Sequence, residues 1–354
     1  MSGASSVSLL AGFCELDITP TRYPVRTYFG SADTPLDRLY AHAAVFRQGD
    51  AQIALLSLDV VIVEREYVEA IRNLVGLRHP ECAVNLMVCA THNHACPAVV
   101  DRPGSERDEA YLRFMVERGA AAVISAHEAL QPAETGCGSG YENRISFNRR
   151  FVRRNGTVIS EPDIDMLSAD LLYNEGIIDP MVGVLALDVV SLVSNLTYSS
   201  AVTVTARSDS LALRYRDIAG LEANIDHLER FNVMEKLVRK GWYRHSLDRL
   251  RALHAAADHE DAEIQVFRIG DLFIGSVPAE YFAQNALRIK ELSPVSATWV
   301  ATLANGWLGY IPHRAAFQRI GGHETTWALW SKMVPEAGDQ LANRIIGLIK
   351  ELCT

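Results

Sequence analysis

Between Asn85 and Pro97 the sequence reads NLMVCATHNHACP, and this stretch restricts the fold more than any other. Six largely apolar residues with strand character, Asn85 to Ala90, run into Thr91-His92-Asn93-His94, so two imidazoles emerge where a buried strand must end. Upstream, Ile53 to Val60 forms a second strand-like run containing Asp59 near its end, and Glu64 to Leu77 carries Val68, Ile71 and Leu74 on one helical face. Strand, helix and strand at this spacing predict a β-α-β unit, and open sheets of that kind collect their sites at the carboxyl ends of strands. Asp59 and His92 both stand at such ends. Residues at i and i+2 of extended chain point the same way, so His92 and His94 either line one cleft or are parted by the turn. Neutral imidazole ligates metals and moves protons near neutrality. With 11 histidines in 354 residues, however, an HxH pattern is also common by chance.

The rest of the chain builds around that unit. Residues 11 to 34 read as a loop-rich start in which Asp17 is a turn former. Ala43 to Arg47 and Ile53 to Val60 predict a hairpin around Gln48-Gly49-Asp50. Glu109 to Leu130 predicts a helix whose Phe114, Met115, Ala121, Val123 and Ile124 are core residues. Thr135 to Tyr141 is strand-like; its alternating Gly136, Gly138 and Gly140 lack the following helix of a dinucleotide fingerprint. Arg144, Arg149, Arg150, Arg153 and Arg154 cluster around Phe147-Asn148, as a solvated hairpin or as an anchor for a substrate carboxylate or oxyanion.

After a polar loop from Glu161 to Asp179, paired strands are expected at Gly183 to Val189 and Ser191 to Thr197. Val202 to Ala206 extends the sheet, and helix dominates from Ile218 to Ala257. Glu263 to Ile269 and Phe273 to Val277 are strands joined at Gly270-Asp271, and Pro278-Ala279-Glu280 opens a helix with Glu280 in its first turn. Trp299 to Ala304 is a further strand, and an amphipathic helix over Gly338 to Leu352 closes the chain. No internal repeat or linker is visible, so the expectation is one α/β domain, 1-354, with a mixed β-sheet core flanked by helices.

Composition narrows the partners. The net charge of -9, from 43 acidic and 34 basic side chains, argues against nucleic acid and against a basic membrane-binding face. No window reaches the ~20 apolar residues of a membrane span, and no signal peptide is read at the start. Six cysteines without CxxC spacing read as reduced thiols of a cytoplasmic protein; Cys96, two residues after His94, has a nucleophile reading beside the structural one. A small-molecule substrate, with room for a homo-oligomer, is what these exclusions leave.

Several segments, taken in order, resemble the neutral, non-lysosomal ceramidase family in a short form without its C-terminal β-sandwich. They are AGFCELDITP, DRLYAHAAVF, IALLSLDVV, CATHNHACP, SFNRRFVRRNGTV, DPMVGVLAL, FRIGDLFIGSVPAEYF and LANGWLGYIPHRAAF. The resemblance implies a neutral-ceramidase-like α/β catalytic domain with a zinc amidase site. It makes His92 a zinc ligand, with His94 beside it as a catalytic group, and Glu280 and Tyr310 further ligands. It also implies His323 as the counterpart of a tyrosine that contacts the substrate carbonyl, Arg149 or the adjacent Arg150 as a helper, and Asp217 as the retained acid of an SxD segment. The family's second histidine ligand falls at Ser199, so its shell here is degenerate. Candidates to replace it are His94, His227, His245 and His313, and another divalent metal could take the place of zinc.

Three functions follow from these residues. One is a metal-dependent hydrolase of an amide or related polar bond on a small, soluble, non-lipid substrate. Another is an isomerase or lyase that dispenses with zinc and uses His94, His323, Tyr310 and Asp217 as acid-base groups. The third is a catalytically silent binding protein of the same fold.

Overall fold

The computed structural model describes residues 8–28, 30–102, 106–162, 170–187, 196–230 and 241–354, without the side chains of Asn224 and residues 227–230. Two sheets face each other and helices cover both outer faces. The first sheet has the order Leu86–Ala90, Ala51–Leu58, Tyr40–Gln48, Leu10–Asp17, Gln131–Pro132. Its pairings are antiparallel except for Ala51–Leu58 with Leu86–Ala90, which are parallel and joined through the helix Arg65–Gly76, so the expected β-α-β unit is present. The second sheet runs Val204–Arg214, His259–Ile269, Leu272–Val277, Ala297–Thr302.

Side-chain alternation explains the layering. In Ala51–Leu58, Ala54, Leu56 and Leu58 face a core shared with Val68 and Ile71 of Arg65–Gly76 and with Met115 and Val123 of the helix Glu109–Glu128. Ile53, one residue out of phase, faces the other way and joins Phe46 and Met87 against Phe267, Ile269 and Ile274 of the second sheet. Ile264, Val266 and Phe273 meet Leu341, Ile345 and Ile349 of the C-terminal helix Ala337–Cys353 on the outer side. Strands buried on both faces read as continuous apolar runs, as these do.

The two sheets are stitched where Ala297–Thr302 ends. Ala90 N donates to Leu303 O at 3.2 Å and Asn305 N to Val88 O at 2.8 Å, so the segment after the strand closes the free edge of Leu86–Ala90. Asn305, fully buried, accepts from Val88 N through Oδ1 at 2.9 Å and donates through Nδ2 to Gln265 Oε1 at 2.7 Å and Glu263 Oε1 at 3.1 Å. Its φ of 64° lies in the left-handed region, which asparagine tolerates better than most residues. Arg72 of the crossover helix adds a second tie, donating to Leu86 O and to Glu263 at 2.6 Å.

A second lock is ionic. Glu324 is buried and accepts from Arg149 Nε at 2.7 Å, Arg150 Nη1 at 2.8 Å and Ser160 Oγ at 2.6 Å. Burial works against its charge, but Arg149, Arg150 and Ser160 outweigh it and bring its pKa down to about 2. Gly321 and Gly322, at φ 98° and 81°, carry the chain into this position, and a Cβ at Gly322 would lie 2.1 Å from Arg150 Nη1.

Several expectations are corrected. The loop-rich start contains the strand Leu10–Asp17, whose eight residues pair with Tyr40–Gln48. Asp17 is a turn former, accepting from Thr19 N at 2.7 Å and from Arg38. A short helix, Pro80–Val84, precedes the histidine strand, and Leu171–Asn174 is a strand inside the supposed polar loop. Met181–Leu187 pairs with Thr135–Tyr141, and the expected pairing of Gly183 to Val189 with Ser191 to Thr197 falls on 188–195, outside the described residues. The helical stretch holds Ala219–Arg230 and Trp242–Ala256, with 231–240 outside the described residues. No helix among the described residues is long and apolar enough to cross a membrane.

Asn305→Ala leaves the Val88 N–H and the Gln265 carbonyl unpaired in the interior, and is expected to lower unfolding free energy in urea by roughly 2–4 kcal/mol; a change under about 0.5 kcal/mol would show that the seam does not depend on this side chain. Glu324→Gln removes the buried carboxylate that Arg149 and Arg150 share, leaving them Glu161 and Glu175, and is expected to cost about 3 kcal/mol. Because the folded carboxyl binds its proton more weakly than the unfolded one, this contribution is complete above about pH 4.5 and is lost as pH falls towards 2, which acid titration of wild type against the variant measures.

Candidate active site

The candidate site forms where the stitched edge meets the loops that follow three strands. After Ala90 the backbone continues along the neighbouring strand's exit: Thr91 N donates to Leu58 O at 3.0 Å and Asn93 N to Val60 O at 3.2 Å. Between them His92 is held at φ 64°, a conformation that costs a non-glycine residue energy and persists where its surroundings enforce it. The enforcing contact is His92 Nδ1 to Val61 O, 2.7 Å. A carbonyl only accepts, so Nδ1 carries a proton and Nε2 is directed at the site.

Two groups meet that nitrogen. Glu280 Oε2 is 3.4 Å from His92 Nε2, and His94 Nε2 is 3.1 Å away, with the two rings edge to face. Both imidazoles therefore serve one cluster. Glu280 does not open a helix: it lies in the two-residue strand Glu280–Tyr281, paired in parallel with Tyr310–Ile311, and the helix begins only at Ala283. That pairing sets Glu280 beside Tyr310. The Tyr310 hydroxyl hydrogen-bonds Glu280 and accepts from Arg149 Nη2 at 3.0 Å, while Trp307 Nε1 donates to Glu280 Oε1 at 3.1 Å.

Charge states follow from these contacts. Burial disfavours the Glu280 carboxylate, yet His92, Tyr310 and Trp307 hold its pKa below the usual range. Burial likewise opposes a charged His92, and Glu280 with the Val61 carbonyl raises its pKa instead. His94 is pushed down by burial and by His92, and His323 by burial. Tyr310 is pushed well above 10 by burial and by Glu280. Burial opposes the Arg149 charge too, but Tyr310, Glu324 and Glu161 keep it cationic. One spot is thus arranged to hold positive charge against Glu280, with neutral imidazoles around it.

Two cavities share His92, Glu280 and Tyr310 in their walls. One, of about 410 Å³, has aromatic walls of Tyr28, Trp242, Trp307 and Trp330 and is charged through Glu64, Asp101, Arg102, Arg107 and Arg249. His323 lies in this wall, stacked on Trp330 at 4.9 Å and edge-on to Tyr310 at 5.6 Å; its buried Nδ1 has no hydrogen-bond partner among the described residues. The other cavity, of about 490 Å³, reaches Arg149, Asn148 and Gln284.

The structure brings together His92, His94, Glu280, Tyr310, Arg149 and His323. Arg150 lies one step away, buried against Glu324 and Glu175, so the solvated-hairpin reading does not hold for these two arginines. Asp217 is not brought in: it is exposed and accepts from Ala219 N at 3.0 Å at the head of Ala219–Arg230. Ser199 is bridged to Thr135, beside the Leu9 end of the first sheet, on the order of 20 Å along the strands from His92. Of the substitute histidines, His245 lines the aromatic cavity, His313 caps Arg314–Gln318 outside both cavities, and the His227 side chain is outside the described residues. Asp59 is used by the Tyr40 N–H. Cys96 is buried, accepts from Val61 N, and has its thiol pushed up by burial to about 12, which suits a structural residue and not a nucleophile.

Sequence reasoning missed Glu324, although it directly follows His323. It also missed Trp307 and Trp330, which carry no motif of their own. Tyr28 and Arg102 come from loops far apart in sequence, and no local signal joins them.

Among the donors, His92, Glu280 and Tyr310 make one imidazole, one carboxylate and one phenol, a set of three that leaves a coordination position open, as catalytic zinc uses. His94 is not part of a single ligand cluster with His92 and Glu280, since their ligand atoms do not all lie within 4.8 Å of one another. It stands beside the set.

No sequence-family description and no curated protein matches the chain. Solved structures do. The crystal structure of neutral ceramidase from Pseudomonas aeruginosa superposes with a TM-score of 0.62 at 13% identity, over 98% of this chain and 75% of that one. A ceramidase complexed with C2 gives 0.63 at 14% identity with the same coverage. The chain has a neutral-ceramidase-like α/β fold.

Proposed function

We propose that the chain is a hydrolase of an amide or related polar bond in a small soluble substrate, and that it uses a divalent metal, zinc in the first instance, held by His92, Glu280 and Tyr310. The observation that carries this reading is the convergence of His92 Nε2, the Glu280 carboxylate and the Tyr310 hydroxyl at one point shared by two cavities. The neutral-ceramidase-like fold supports it. A bound cation would polarise the scissile carbonyl and bring the pKa of water down to about 7.

The side chains supply the rest. His94, neutral near pH 7, takes a proton from the attacking water and delivers it to the leaving nitrogen. Arg149, fixed by Glu324, directs Nη2 at the Tyr310 oxygen and opposes negative charge developing there or on the substrate carbonyl. His323, clamped between Trp330 and Tyr310, orients the substrate carbonyl. The aromatic walls supply apolar surface beside the charged groups, and the cavity of about 410 Å³ falls in the ordinary small-molecule range of roughly 300–1,000 Å³. Its mixture of carboxylates and arginines suits a polar substrate and not an acyl chain. The six unpaired cysteines are in keeping with a reducing compartment such as the cytoplasm.

One observation favours the metal-free isomerase or lyase instead. A proton on His92 already satisfies Glu280, so the cluster is complete without a cation.

Metal analysis separates the two. Chain purified without added metal is expected to hold one equivalent that Glu280→Gln loses together with hydrolysis of small amides; if wild type and Glu280→Gln differ by less than about a tenth of an equivalent and wild type shows no metal-stimulated turnover, the hydrolase reading fails. His94→Ala is expected to keep the metal and lower kcat by about 10²–10⁴-fold. Equal loss of metal and activity would instead make His94 a ligand.

A further inference from the structure

At the other end of the histidine strand lies a second group of metal-ligand chemistry. His79, Glu81 and His127 each offer a ligand atom, and the three atoms all lie within 4.8 Å of one another. His127 Nε2 is 3.4 Å and His79 Nδ1 3.9 Å from Glu81 Oε1. We propose that these residues bind a divalent transition-metal ion, of the zinc type, that staples the end of Glu109–Glu128 to the short helix Pro80–Val84.

Geometry is the first support. Ligands about 2.0–2.1 Å from a tetrahedral zinc stand about 3.3–3.4 Å apart, which the Glu81–His127 pair already meets and the Glu81–His79 pair reaches by a small rotation. Unmet polar atoms are the second. Nε2 of His79 and Nε2 of His127 are both buried with no hydrogen-bond partner among the described residues, and the two rings lie 3.8 Å apart with a 31° tilt between their planes. Buried nitrogens without partners are a poor arrangement in themselves; His79 presents Nδ1 to Glu81, so an ion held by that nitrogen, Glu81 and His127 Nε2 supplies the missing partner of His127 Nε2.

The backbone pre-sets both rings. His79 caps Pro80–Val84 and donates its N–H to Val75 O, while His127 sits in the last turn of Glu109–Glu128. Charge is mixed: Arg47 opposes a cation near His127, and Glu81 and Glu128 favour one. Two imidazoles and a carboxylate select a zinc-like ion over calcium or magnesium, and the half-exposed Glu81 leaves a path for entry. The site is on the order of 20 Å from His92 along the intervening strand, and its role is structural, holding the start of that strand between two helices.

The test uses the full chain carrying His92→Ala and Glu280→Gln, stripped with chelator and titrated with Co²⁺ and then Zn²⁺. One equivalent is expected, with tetrahedral Co²⁺ bands and a raised Tm, and adding His127→Ala or Glu81→Gln should weaken binding at least about tenfold. Absence of that equivalent, or affinity unchanged in both added variants, overturns the proposal. Should the double background fail to fold, Glu81→Gln in the otherwise unaltered chain should lose one bound equivalent at the same free zinc concentration, and unchanged stoichiometry overturns it.

Discussion

The pairing of Asn305 with Val88 is the contact on which the candidate site depends. One side chain completes the backbone bonding of a strand edge in the first sheet and reaches the second sheet through Gln265 and Glu263. Without that closure the edge of Leu86–Ala90 would present unpaired N–H and C=O groups. With it, the exit of the histidine strand and the exit of Leu272–Val277 are held side by side. His92 and Glu280, 188 residues apart in sequence, meet for that reason.

Electrostatics then arranges the cluster from behind. Glu324 has no exposure to exploit and no place in the chemistry, yet it orients Arg149, which reaches the Tyr310 hydroxyl, which reaches Glu280. Each member shifts the next: the arginine stays charged, the phenol stays protonated, and the carboxylate stays ionised in a buried position. A charged pair buried this way is costly to break because either partner left alone has lost its water. The strain at His92 is borne by the same frame, since its ring is tied to Val61 O and its flanking amides to Leu58 O and Val60 O.

How much was legible varies with the range of the interaction involved. The β-α-β unit, the hairpin and the C-terminal helix were readable because burial on one face leaves a period in the chain. Strand Leu10–Asp17 was not, because its mix of polar and apolar residues, with Phe13 exposed, gives no clean alternation. Glu280 was placed at the right strand end but in the wrong element: Pro278 suggested a helix start, whereas parallel pairing with Tyr310 holds it extended. Asp217 and Ser199 were carried by resemblance alone, and the fold directs the first to cap a helix and the second to the far end of the sheet.

By itself the sequence determined the local elements, the strand-end position of His92 and His94, and the apolar runs that demand burial on both faces. These depend on residues a few positions apart, where periodicity and turn chemistry act. Only the tertiary structure decided that the two histidines share one cluster, that Arg149 is held by Glu324, and that the rings of His79 and His127 meet from 48 residues apart in the chain. Such contacts are set by how two sheets and their covering helices pack, and no window of sequence contains both partners.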